Sequence, residues 1–131
     1  SAMAGKKQAS KNGRELQARV VGLSEDLGLQ AQVEVRAARR LWGAVRRIDV
    51  VLTESESRKK LGVECKFQGS SGSAEEKIPA TLNDLEHWPI PGIIVIDGPG
   101  FSEKMSSYLM ASGRVVWFED LEDWLSLFFS L

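Results

Sequence analysis

A chain of 131 residues, 43% apolar and 27% charged, is long enough for one domain with its own core, burying roughly two-thirds of its unfolded surface. One cysteine, Cys65, and one histidine, His87, exclude a disulfide framework, Cys/His zinc fingers and histidine-paired metal sites. Residues 1–77 carry 15 Lys/Arg against 10 Asp/Glu and residues 78–131 carry 2 against 8, within a net charge of −1. The split fits a basic face for a polyanion beside an acidic remainder, or an unevenly charged but ordinary surface. The longest apolar runs fall short of the ~18 residues of a membrane span. The Lys-rich start lacks the apolar core of a secretory signal. An intracellular, cytoplasmic protein with no membrane partner is therefore expected.

Ser1-Ala2-Met3 reads as a tag remnant, and residues 1–13 as that remnant plus a flexible basic arm; residues 14–131 form the expected domain. Arg14 to Leu27 reads as a helix, with Leu16, Val20, Leu23 and Leu27 on one stripe and Gly28 as its stop. From Gln30 the period becomes two: Val33, Val35 and Ala37 alternate with Gln32, Glu34 and Arg36, as in a half-buried strand. Trp42-Gly43-Ala44 turns into a second strand, Arg47 to Leu52, and a polar tract leads to a third, Leu61 to Gln68. Short links predict an antiparallel meander.

Ser73-Ala74-Glu75-Glu76 is a capping box that predicts a helix from Ala74 to about Glu86, distorted by Pro79. Ile93-Ile94-Val95-Ile96 lacks alternation and suits a strand buried on both faces. Ser102 caps a helix to about Ala111, Val115 to Phe118 make a last strand, and a helix follows from Glu119. The order α-β-β-β-α-β-α-β-α predicts a single α/β domain, a mixed central sheet flanked by helices. In the last helix Leu127, Phe129 and Leu131 lie outside the ~100° stripe one core face would use. A chain end tucked into the core and a homodimer seam both explain them.

The third strand carries the candidate chemistry. Leu61, Val63, Cys65 and Phe67 share one face; Gly62, Glu64, Lys66 and Gln68 share the other. In the preceding strand Asp49 stands opposite the face of Ile48, Val50 and Leu52, where a hairpin neighbour brings it to Glu64. Two carboxylates with a backbone carbonyl make a hard-oxygen site suited to Mg²⁺, and a lysine beside them can assist a water attacking a phosphodiester. A salt bridge on a half-exposed strand explains the same residues. An acid two before a lysine is common, and Glu75-Glu76-Lys77 repeats it on a helix start.

Arg46-Arg-Ile-Asp-Val-Val-Leu52 followed by Gly62-Val-Glu-Cys-Lys-Phe-Gln68 resembles the PD-(D/E)XK nuclease superfamily, the restriction-endonuclease-like fold. The likeness in element order runs from about Arg14 to Phe118, and Ile48 replaces the motif's proline. The resemblance implies a metal-dependent DNA endonuclease cutting in line to leave 5′-phosphate ends. It assigns Asp49 and Glu64 to Mg²⁺ (Mn²⁺ as a substitute) with the Cys65 backbone carbonyl, and Lys66 to the attacking water. Gln68 matches a glutamine found in some branches, and Glu15 an acid that some members add to the metal site. Arg36, Arg39, Arg40, Arg46, Arg47 and Lys77 are candidate phosphate contacts with DNA. A compact homing or phage-type endonuclease, a Holliday junction resolvase, a repair nickase and a non-catalytic DNA-binding module on the same fold stay open. Asp97-Gly98-Pro99-Gly100 lacks a following Gly-Lys-Ser/Thr and reads as a turn. Cys65 reads as core, and Ser70, Ser71 and Ser73 have no histidine placed to activate them.

Overall fold

Asn12 begins the first helix: its side chain accepts the Glu15 N–H at 2.8 Å, and α1 (Gly13–Asp26) buries Leu16 and Val20 on the predicted stripe. Gly28, at φ 88°, supplies the left-handed turn that releases the chain. The computed structural model describes residues 10–39, 45–70 and 74–131, with the side chains of 37–39, 45–46 and 104–106 also outside the description. The Trp42-Gly43-Ala44 turn, Ser71, Ser73 and the N-terminal arm up to residue 9 lie outside the described residues.

Strands β1 (Gln30–Arg39), β2 (Val45–Thr53) and β3 (Lys60–Phe67) pair antiparallel as the predicted meander. β4 (Gly92–Asp97) and β5 (Val115–Trp117) then add in parallel, giving one five-stranded mixed sheet in the order β1-β2-β3-β4-β5. The crossovers carry helices α2 (Ile78–Leu85) and α3 (Glu103–Met110), and α4 (Leu121–Phe129) closes the chain. One face packs Leu16 and Val20 of α1 and Leu121, Leu125 and Phe129 of α4 on Val50, Leu61, Val63 and Val95. The opposite face packs Ile78 and Leu85 of α2 and Leu109 of α3 on Ile48, Val51, Ile94 and Ile96. β4 is thus covered on both sides, as its unalternating run requires. Gly62 and Gly92, paired in register, leave space for Trp88, since a Cβ on either would stand 2.6 or 2.5 Å from its ring.

Three expectations need correction. The helix drawn from Ala74 is a 3₁₀ turn (Ala74–Lys77) followed by α2, with Pro79 in the first turn of α2. Proline has no N–H to give and clashes with the carbonyl four residues earlier, so the regular helix starts beside it. The last helix likewise starts at Leu121, after a 3₁₀ turn at Phe118–Asp120. Phe129 is 5% exposed and belongs to the core, while Leu127 on α4 and Leu131 beyond its end are exposed. Among the described residues no helix is long and apolar enough to cross a membrane.

Candidate active site

Two breaks in the sheet meet at Asp49. β1 and β2 pair Val33 with Val50 and Val35 with Ile48, which leaves Glu34 opposite Asp49 without a ladder pair. β2 and β3 pair only from Thr53–Lys60 to Val50–Val63, so Asp49 and Glu64 stand just past the last rung. Glu34, Asp49 and Glu64 therefore form one cross-strand row, immediately beyond Val33, Val50 and Val63. Glu34 sits at φ 52°, a conformation that costs an L-residue about 1–2 kcal/mol.

The breaks reset side-chain alternation. Val50 and Leu52 pack towards α1, whereas Ile48 packs towards α2; Ala31 and Val35 divide the same way on β1. The sequence pattern predicts Ile48, Val50 and Leu52 on one face and a regular alternation through Val33 and Val35. The left-handed backbone at Glu34 rotates β1 past that register, and on β2 the packed face changes between Ile48 and Val50. On β3 the alternation holds: Leu61, Val63, Cys65 and Phe67 pack towards α1, and Gly62 faces Trp88 on the other side.

Where the β2–β3 ladder stops, side chains replace it. The Cys65 N–H donates to Asp49 Oδ2 at 2.8 Å, and the Asp49 N–H donates to Glu64 Oε1 at 3.3 Å. Each carboxylate thus accepts a backbone N–H at the gap. Glu64 is only 4% exposed and Asp49 is half-buried. Burial, followed by the negative charges of Asp49 and Glu64, pushes the Cys65 thiol well above its usual range; the Lys66 charge pulls the other way. Lys66 follows two residues after Glu64 on the same strand face and is half-buried.

Gln68 closes the far end of the strand. Its amide Nε2 donates to the Gly100 carbonyl and its Oε1 accepts the Glu75 N–H, both at 2.6 Å. The Glu75 carboxylate in turn accepts the Ser102 N–H at 2.7 Å and hydroxyl at 3.0 Å. The exits of β3 and β4 are thereby tied to the turn before α2. Asp97-Gly98-Pro99-Gly100 is the expected turn: a Cβ on Gly98 or Gly100 would collide with the Gln68 or Gly69 carbonyl oxygen. Asp97 accepts the Ser10 N–H at 2.8 Å, with Arg19 3.6 Å away and lying over the Phe118 ring.

The predicted site residues separate into groups. Asp49, Glu64 and Cys65 come together, with Lys66 next on the strand. Glu15 lies half-buried in the first turn of α1, and among the described residues no third His, Cys, Asp or Glu completes a metal-binding group. Arg36 and Arg47 are exposed and directly opposite across β1 and β2. Lys77 is exposed at the start of α2. Arg40 and the side chains of Arg39 and Arg46 lie outside the described residues. Sequence reasoning missed Glu34, Glu75 and Asp97. Glu34 offered the signal of an acid facing Asp49 across a hairpin, but only known register reveals it.

The family model of the PD-(D/E)XK nuclease superfamily domain matches residues 5–121. The crystal structure of a protein of unknown function, AF1548, is similar at a TM-score of 0.53 and 21% sequence identity, over 77% of this chain and 54% of that one. The chain spans about half the length of that protein, and the likeness concerns the fold alone. No curated protein matches the sequence.

Proposed function

The chain belongs to the PD-(D/E)XK nuclease superfamily, with its restriction-endonuclease-like fold, and on that premise we propose that it is a metal-dependent DNA endonuclease centred on Asp49, Glu64 and Lys66. The observation that carries this reading is the pair of carboxylates at the sheet's gap, each locked by a backbone N–H from the neighbouring strand. Nucleases of this superfamily generally use divalent metals, and the donor set fits one. Two carboxylates and the Cys65 carbonyl are hard oxygen donors, and a carboxylate as buried as Glu64 gains from a compensating cation. Among the described residues no third acid completes the group, so water would complete the coordination.

Asp49, Glu64 and the Cys65 carbonyl would hold the ion, Mg²⁺ with Mn²⁺ as substitute. Bound there, it would polarise the scissile phosphate and acidify a water. Lys66 orients that water and offsets the charge developing on the phosphoryl oxygens. Gln68 holds the exits of β3 and β4 in place through Gly100 and Glu75, a positioning role. Arg36 and Arg47 face each other across the hairpin, a like-charge pairing that is unfavourable alone and is relieved by a DNA phosphate. A homodimer belongs to the same proposal, because one site per chain must meet two strands of a duplex.

The test is cleavage of linear, nicked, flapped and four-way DNA with Mg²⁺, Mn²⁺ or EDTA. Metal-dependent cutting lost in Asp49→Asn and Glu64→Gln supports the reading. DNA binding without cutting in any metal points to a non-catalytic module on the same fold.

A further inference from the structure

An open groove of about 590 Å³ runs between α1 and β1, walled by Arg14, Gln17, Ala18, Val21, Val33 and Glu34. Its volume is in the ~300–1,000 Å³ range of sites for small ligands, room for part of one nucleic acid strand. Val33 shares the α1 side of the strand with Ala31, yet it is 51% exposed. The helix does not cover it, and the space left over is the groove.

The groove shares Glu34 with the carboxylate row of the candidate active site. Val33 pairs with Val50, which pairs with Val63, and the next residues along each strand are Glu34, Asp49 and Glu64. Glu34, on the groove wall, is thus the groove's link to that row. Arg14 stands exposed on the helical wall, and Arg36, facing Arg47, follows two residues beyond Glu34, roughly 7 Å along the strand. A cation thus lies on each side of the acidic row, as the backbone of a strand crossing that row requires.

We propose that this groove seats an unpaired stretch of the DNA substrate beside the scissile phosphate, an inference that rests on the nuclease reading above. Arg14 and Gln17 donate to phosphate oxygens. Ala18, Val21 and Val33 contact the face of a base or its sugar. A paired base exposes only its edges in the grooves of a duplex, whereas a splayed base offers its face to a side chain. An apolar wall next to the cut therefore selects DNA with unpaired nucleotides, such as a flap or frayed end, over a fully paired duplex.

Two probes decide it: a blunt duplex, and the same duplex with a short unpaired tail. Anisotropy with Ca²⁺ reads binding, and cleavage is read with Mg²⁺. The parent is expected to bind the tailed probe about tenfold tighter, the scale of one or two good contacts, and to cut beside the junction. Arg14→Glu and Val33→Glu change exposed side chains, so melting should stay near parental. Each should erase the preference for the tail while leaving duplex binding little changed. Arg36→Glu should weaken both probes alike. Equal affinity of the parent for the two probes, or a preference surviving both groove substitutions, overturns the groove assignment while the nuclease reading stands. A parent that cuts neither probe with any divalent ion overturns the nuclease reading, and the groove assignment with it.

Discussion

Asp49 and Glu64 extend the β2–β3 ladder past its last backbone rung: Asp49 accepts the Cys65 N–H, and Glu64 accepts the N–H of Asp49 itself. The two acids are both the candidate metal ligands and a structural clasp. Charge and hydrogen bonding can be separated because an amide keeps the acceptor oxygen and loses the charge.

Asp49→Asn is therefore expected to melt near the parent and to lose metal-dependent cleavage by at least ~10²-fold. Asp49→Ala should lose cleavage too, and should also leave the Cys65 N–H without its acceptor, at a cost of about 1–3 kcal/mol. Relief of repulsion between two carboxylates acts in the opposite direction, so the measured difference between Asn and Ala isolates the hydrogen bond. Equal melting of the two variants would show that the clasp contributes nothing to stability.

Cys65 makes the same cluster visible through pH. Burial first, then Asp49 and Glu64, raise its thiol pKa. An acid whose pKa is higher folded than unfolded contributes stability that is complete below the unfolded value and lost as pH rises towards the folded one. Stability should thus decline from about pH 8.5 upward, and Cys65→Ala should flatten that decline in urea titrations. The native thiol should also alkylate far more slowly at pH 8.5 than the unfolded one. Equal rates in the two states would contradict a buried, negatively surrounded thiol.

Arg36 and Arg47 predict opposite signs for binding and stability. Arg36→Glu converts a like-charge cross-strand pair into an attractive one, worth roughly 0.2–1 kcal/mol, while DNA binding should weaken and its salt slope shrink. Arg114→Glu, on an exposed residue of the acidic C-terminal part, should leave binding close to parental. Equal losses from Arg36 and Arg114 would remove the case for a polarised face.

The legible parts of this fold are those set by local pattern. Polar and apolar residues on β3 alternate without a break, so the faces of Glu64 and Cys65 could be read directly. Ile93 to Ile96 announced a strand covered on both sides. The carboxylate row could not be read this way. Its geometry depends on a left-handed glutamate in mid-strand, and no propensity puts Glu34 there; tertiary pairing on either side holds it. Gln68 was legible as a polar residue on the right face, but its partners Gly100 and Glu75 come from two later loops. Their meeting depends on glycines packing against carbonyls, a contact no sequence spacing encodes.

Lys66 separates chemistry from binding. It stands on the Glu64 face of β3 and is half-buried, and its charge reaches the Cys65 thiol. Lys66→Met keeps the length and apolar stem but removes the ammonium. Metal binding through Asp49 and Glu64 should persist or tighten slightly once a nearby positive charge is gone. Calcium-supported DNA binding should drop by about one phosphate contact in the salt slope. Magnesium-supported cleavage should fall by at least ~10², the scale for loss of an acid–base or charge-stabilising group. A lysine serving only as a salt-bridge partner predicts lower melting, with cleavage reduced only in proportion to the folded fraction. Melting, binding and cleavage measured on one preparation distinguish the two. Near-parental cutting by a Lys66→Met protein that melts several degrees lower would end the catalytic assignment.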